Sequence, residues 1–227
     1  MQLSKRLRCI ADYVRHGDRV IDVGTDHAYI PIWLLLNGVA AEAAATDIRS
    51  GPLERARLDA ERYGVSDSLR LAQCDGLALC DPDSVDTVII AGMGGETIIG
   101  ILSAAPWVRE KRLILQPQTK QDELRAWLAD QGYAIIDASL CYDTGRIYLV
   151  WLVGTGEMPP FSGVESALLE KRDPLLRPYL DDQIKRLRKR LRGVETAVAP
   201  DGELIAKLRG RLTELERIFH EVSTWQQ

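Results

Sequence analysis

Asp22, Asp26, Asp47 and Asp75 fall at or just past the ends of short apolar runs. Any one such carboxylate commonly caps a helix or sits solvated in a loop. Recurrence at successive strand ends favours a third use, holding a ligand. Asp22 can orient loop amides or receive a cationic amino group. Asp47, 25 residues after Asp22, can accept the protons of both hydroxyls of a ribose. Asp75 and the amide of Gly76 can read the edge of an adenine. Gly24 ends the first run and lets a ligand approach the backbone closely. In "DVGTDHAYIP" (22–31) it stands without the rest of a GxGxxG pattern, so a pyrophosphate would lack its cradle of amides.

Asp26 lies beyond that glycine turn. A carboxylate there can accept a hydrogen bond from an amine and stabilise positive charge developing on a ring; it can also cap a helix starting near Ala28. His27 reads as a positioning or packing residue, and Tyr29 as a pocket-lining or packing one. Gly92, Gly94 and Gly95 in "AGMGGET" follow another apolar run. They either leave room for a planar group beside bare backbone or make a tight turn leading to Glu96.

The elements that must position these residues alternate. "RVIDVG" (19–24), "AEAAATDI" (41–48), "LRLAQCDG" (69–76), "DTVIIAG" (86–92) and "KRLILQP" (111–117) read as strands. Helices are expected over 28–37, over 52–64 with Gly64 closing it, near 95–104 and over 120–131. Apolar strands separated by helices imply a parallel, doubly wound α/β sheet. "YAIIDASLCYD" and "RIYLVWLV" are joined only at Thr144 and Gly145, too short for a parallel crossover, so they must form an antiparallel hairpin. After the Gly/Pro-rich "GTGEMPPFSG" the period becomes heptad: Leu180, Ile184, Leu187, Leu191, Val194, then Ile205, Leu208, Leu212, Leu215, Phe219, Val222. Two helices of about 30 Å would fold back as an antiparallel coiled-coil hairpin. The expected domains are 1–154 and 164–227.

The composition of this chain of 227 residues, 46% hydrophobic and 27% charged, is that of a soluble protein with a full core. No apolar run reaches a membrane span and "MQLSKRLRCIADY" lacks the centre of a signal peptide, so a cytoplasmic location is expected. Cys9, Cys74, Cys80 and Cys141 form no CxxC pair and the histidines are scattered, so neither a metal site nor a disulfide framework is expected. A monomer is the expected state. From residue 155 onward there are 13 Lys and Arg against 12 Asp and Glu, and Lys185, Arg186, Arg188, Lys189, Arg190 and Arg192 crowd one run, "IKRLRKRLR", with no acid inside it. That stripe is either a solvated helix face or a surface for a polyanion.

"LSKRLRCIADYV", "DVGTDHAYIP", "CDGLAL", "IAGMGGETI" and "LILQPQ" together resemble the bacterial tRNA (adenine(22)-N1)-methyltransferase family. The resemblance implies a Rossmann-like class I methyltransferase sheet with a C-terminal coiled coil, S-adenosyl-L-methionine as donor, which has no pyrophosphate to hold, and tRNA as substrate. On it, the donor-binding set is Arg6, Asp22, Gly24, Thr25, His27, Asp47, Ile48, Asp75, Gly76, Gly92, Met93 and Gly94, with Asp26 catalytic. Tyr29, Lys185, Arg186, Lys189 and Arg190 would meet the RNA. The family usually has Asn after the Gln-Pro of the fifth strand; here it is Gln118, which receives no catalytic role. A small-molecule methyltransferase would share the donor residues but have little use for a basic hairpin, and a non-catalytic RNA-binding protein would need only the latter.

Overall fold

The computed structural model describes residues 1–157 and 163–226; residues 158–162 of the Gly/Pro-rich stretch lie outside them. The apolar runs form β1 (Arg19–Val23), β2 (Glu42–Asp47), β3 (Leu69–Gln73), β4 (Thr87–Gly94) and β5 (Arg112–Thr119). All pair in parallel, in the order β3-β2-β1-β4-β5. β6 (Tyr133–Asp143) and β7 (Arg146–Thr155) extend the sheet as β5-β7-β6, antiparallel throughout. Thr144 and Gly145 turn the hairpin at φ 46° and 80°, the paired positive values whose twist matches two antiparallel strands.

Val20, Ala43, Ala45, Ile89 and Ile114 pack against α1 (Lys5–Ala11), α2 (Tyr29–Leu36) and α3 (Ser50–Tyr63). By strand alternation the buried Val88, Ile90, Leu113 and Leu115 point the other way, where α4 (Gly95–Ala104) and α5 (Gln121–Asp130) close the second face. Gly64 at φ 71° ends α3, as its position after the last periodic residue implies. Strand ends differ from the apolar runs. β1 stops at Val23 and β3 at Gln73, so Gly24, Asp75 and Gly76 belong to loops, the two glycines at φ 73° and 56°. β4 continues through the glycines to Gly94, with irregular register at Met93 and Gly94 against β5.

The chain forms two compact units, residues 1–167 and 168–227. The first includes the start of α6 (Gly163–Glu170), which the sequence pattern did not indicate. Its Glu165 receives both Arg125 terminal nitrogens of α5, at 3.0 and 3.3 Å. The second unit is built on α7 (Leu176–Glu195) and α8 (Gly202–Ser223). Arg188 meets Glu216 and Glu195 meets Arg209, each at 2.7 Å, so the two helices run antiparallel as the heptads require. Leu180, Ile184, Leu187 and Leu191 are buried; on α8 the buried stripe is Leu208, Leu215, Ile218 and Val222, with Phe219 displaced to its edge. A straight helix drifts by about 20° per heptad, which moves the seam to a neighbouring residue. Among the described residues no helix is long and apolar enough to cross a membrane, and no metal-ligating cluster occurs.

Gly95 starts α4 where an added Cβ would lie 2.4 Å from the Lys120 carbonyl oxygen. Gly95→Ala should therefore cost about 1–3 kcal/mol through overpacking, read as a lower melting temperature by circular dichroism. An unchanged melt would show that the β5–α5 loop yields freely.

Candidate active site

β1 and β4 are neighbours from which the chain winds outward in opposite directions, and the crevice past their carboxyl ends is where such sheets hold ligands. Asp22 lies at its floor, 8% exposed. Burial pushes its carboxyl up to about 6, while the Thr25 hydroxyl, which donates to it, and the nearby Arg6 guanidinium favour the carboxylate. The Thr25 oxygen also accepts from the Ala28 N–H at 2.9 Å. Thr25, rather than Asp26, thus ties down the entrance to α2. The capping role considered for Asp26 does not occur, because Ala28 takes the N-cap position in the left-handed region, φ 51°, with no side-chain cap.

Arg6 reaches the crevice from α1. Its Nη1 donates to Gln116 Oε1 and its backbone N–H to Asp143, both at 3.1 Å, and the guanidinium lies 5.5 Å from the Tyr148 ring centroid. A Cβ on Gly92 would fall 3.5 Å from Arg6 Nη1 and 3.6 Å from Gln118 Nε2. Gln116 is 1% exposed and was not singled out; a lone amide inside the apolar "LILQP" was the available signal. At Gly24 a Cβ would displace the flexible end of Met93, and it is φ 73° that favours glycine where β1 and β4 open. The glycine-rich segment therefore divides. Gly92 and Met93 border the crevice, Gly94 adjoins Thr119, and Gly95 serves packing.

Asp47 is 7% exposed, and its Oδ1 accepts from the Arg49 N–H at 2.8 Å and from Arg49 Nε at 3.4 Å. Among the described residues both bonds fall on that one oxygen. Beside it Ile48 offers an apolar side chain, 63% exposed. The Thr46 hydroxyl donates to the Gly76 carbonyl at 2.9 Å, tying the Asp75–Gly76 turn to the end of β2; Asp75 is exposed.

Asp26 is exposed and ion-paired with Arg55, which holds its carboxyl below the usual range. His27 Nε2 lies 3.8 Å from Asp26, and its Nδ1 meets Asp59 at 2.8 Å. The His27 ring stacks on Tyr29, centroids 4.7 Å apart. Arg55 and Asp59 were not foreseen, although four residues apart on α3 they share one helix face. Lys185, Arg186, Lys189 and Arg190 are exposed on α7 in the second unit. The run is not left uncompensated: Lys185 pairs with Asp181 at 2.6 Å, Arg186 with Asp182 at 2.9 Å and Arg188 with Glu216 at 2.7 Å.

A parallel sheet that reverses at β1 and β4 and finishes in an antiparallel hairpin is the architecture of a methyltransferase domain, and the methyltransferase-domain family model matches residues 3–151. Over 159 residues the chain is 36% identical to the tRNA (adenine(22)-N(1))-methyltransferase of Bacillus subtilis (strain 168), spanning 69% of this chain and 67% of the relative. The crystal structure of the B. subtilis m1A22 tRNA methyltransferase TrmK matches with a TM-score of 0.83 at 27% identity, over 96% of this chain and 99% of that one. M. capricolum TrmK, solved with S-adenosyl-homocysteine, matches with a TM-score of 0.78 at 25% identity, over 98% and 99%. The chain belongs to the tRNA (adenine(22)-N(1))-methyltransferase family.

Asp22 gives the site a pH signature. Its folded pKa, about 6, lies above the ordinary 3.8, so the folded state holds the proton more tightly than the unfolded chain. Its contribution to stability is present at low pH and is lost as pH rises through about 6. Ligand-free Asp22→Asn should be the more stable protein at neutral pH by up to about 3 kcal/mol, the gap narrowing on acidification. Urea melts at two pH values check this; a gap that does not change with pH would assign the titration elsewhere.

Proposed function

We propose that this protein transfers the methyl group of S-adenosyl-L-methionine to N1 of an adenine in tRNA, at position 22 by kinship with its relatives. The observation that carries the reading is the succession of groups at the carboxyl ends of β1, β2 and β3, which fits the donor part by part. Bound there, the donor supplies an electrophilic methyl group on a sulfonium. The Asp22 carboxylate receives its ammonium group, and a cation at that place draws the buried carboxyl back to its ionised form. Asp47 has an oxygen for the ribose hydroxyls. Ile48 presents a flat apolar face to the adenine, whose edge Asp75 and the Gly76 amide read. Gly24 and Gly92 leave space for the two reacting groups to approach, with Arg6, Thr25, His27, Met93 and Gly94 shaping the walls.

Adenine N1 carries a lone pair, so the nucleophile needs no strong base. Methylation makes the ring cationic. Asp26 accepts a hydrogen bond from the exocyclic amine, aligns the ring and stabilises the growing charge, a contribution realised mainly in the transition state. It exchanges Arg55 for the base to do so, and an exposed ion pair is worth only about 0–1 kcal/mol. The target base leaves its stack to be reached, with Tyr29 lining its path. Residues 164–227 form the RNA-binding arm and residues 1–154 the catalytic domain. Lys185 and Arg186 exchange exposed acidic partners for phosphates, joined there by Lys189 and Arg190, and release counterions. A cytoplasmic monomer suits this role.

The test is primer extension on a tRNA pool incubated with protein and donor: polymerase should stop at a single adenine, because N1-methyladenine cannot pair. Methylation of small amines with no stop on tRNA would overturn the reading. Asp26→Ala should keep donor affinity and lose turnover on the order of 10²-fold. Full turnover in that variant would remove Asp26 from the chemistry.

A further inference from the structure

α2 departs from the pattern of a surface helix. Its sequence, YIPIWLLL, has no charged residue, and a helix apolar on every side belongs inside a core. Tyr29, Trp33 and Leu36 nevertheless share a sector about 60° wide at 3.6 residues per turn, and Tyr29 and Leu36 are 38% and 42% exposed. Ile30, Ile32 and Leu34 meet the core on the inner side and Trp33 packs partly against it, so core packing accounts for part of Trp33 and not for the exposed Tyr29 and Leu36. Trp33, half-buried, carries the Arg8 guanidinium 4.5 Å from its ring centroid, and Asp12 holds that guanidinium at 2.6 Å. Lys5 is exposed on the same helix as Arg8. At its other end the stripe begins with Tyr29 stacked on His27, next to Asp26.

We propose that the stripe Tyr29, Trp33 and Leu36, with Arg8 at its edge, is a stacking surface for a nucleotide flanking the adenine taken into the site. This inference rests on the RNA substrate proposed above. Removing a base from its stack strips both neighbours of a partner, and a ring face continuous with the reaction site replaces it. Aromatic rings and guanidinium planes are the groups on which splayed bases rest, each worth about 1–3 kcal/mol. Arg8 and Lys5 place positive charge where the connecting phosphates must run. The stacked guanidinium favours nucleic acid over an apolar protein helix, for which a cation over the central ring would be a desolvation cost.

The experiment measures binding of fluorescently labelled tRNA by anisotropy for the wild type, Leu36→Glu and Arg8→Ala, with donor calorimetry and thermal melts as folding controls. Leu36 is exposed, so its replacement leaves the core intact. Leu36→Glu should weaken tRNA affinity about tenfold, within the range of one lost stacking contact, and Arg8→Ala should weaken it several-fold, with donor affinity and melting temperature unchanged. Wild-type tRNA affinity in both variants would overturn the proposal, as would a change in self-association with tRNA affinity intact, which would assign the stripe to a second copy of the chain. Loss of tRNA affinity in the variants, with no methyl transfer to tRNA by the wild type, would keep this inference and remove the substrate reading. Transfer by a wild type whose variants bind tRNA equally well would remove the stripe alone.

Discussion

A carboxylate with little water around it, Asp22, sits at the point where the sheet reverses direction, and its burial constrains everything near it. An ionised group there is tolerated only with partners. The Thr25 hydroxyl and the Arg6 guanidinium supply them. Arg6 is itself held by Gln116 of β5, Asp143 of β6 and the Tyr148 ring of β7. The antiparallel hairpin that completes the sheet thus acts at a distance from its own strands, fixing a cation beside the floor of the crevice. Loss of that arrangement would push the Asp22 carboxyl up further.

The two sides of the crevice use charge differently. At the ends of β1 and β2, Asp22 and Asp47 are buried. In the loop after β1, Asp26 is exposed and paired with the exposed Arg55, so its bond can be exchanged at small cost. The loop between them is pinned by Thr25 and by Ala28 in the left-handed region, a conformation that costs on the order of 1 kcal/mol or more outside glycine. Strain of that kind persists where the surroundings enforce one geometry, here between the buried Asp22 and the exposed Asp26.

The sheet was legible because its signals are local: apolar runs, glycines after strands, and a two-residue turn that only an antiparallel hairpin can accommodate. The heptads of α7 and α8 were legible for the same reason. Partnerships were not. Arg55 and Asp59 reach Asp26 and His27 across 29 and 32 residues of chain, and only the packing of α3 against the β1 loop brings them together. Gly92 and Gly95 look alike in sequence, yet one borders the crevice and the other makes way for the Lys120 carbonyl, a distinction set by a distant loop. The basic run of α7 read as uncompensated because Asp181, Asp182 and Glu216 lie outside it and become neighbours only through helical periodicity and the fold of the hairpin.

The central claim, that Asp22 is a partly protonated carboxyl awaiting a cation, is tested most directly by calorimetry of S-adenosyl-L-methionine binding near pH 5.5 in two buffers of different ionisation enthalpy. With its pKa near 6, Asp22 should release a proton as the donor's ammonium group binds, making the observed heat depend on the buffer, and that dependence should vanish in Asp22→Asn. Binding heats identical in both buffers for the wild type would contradict it.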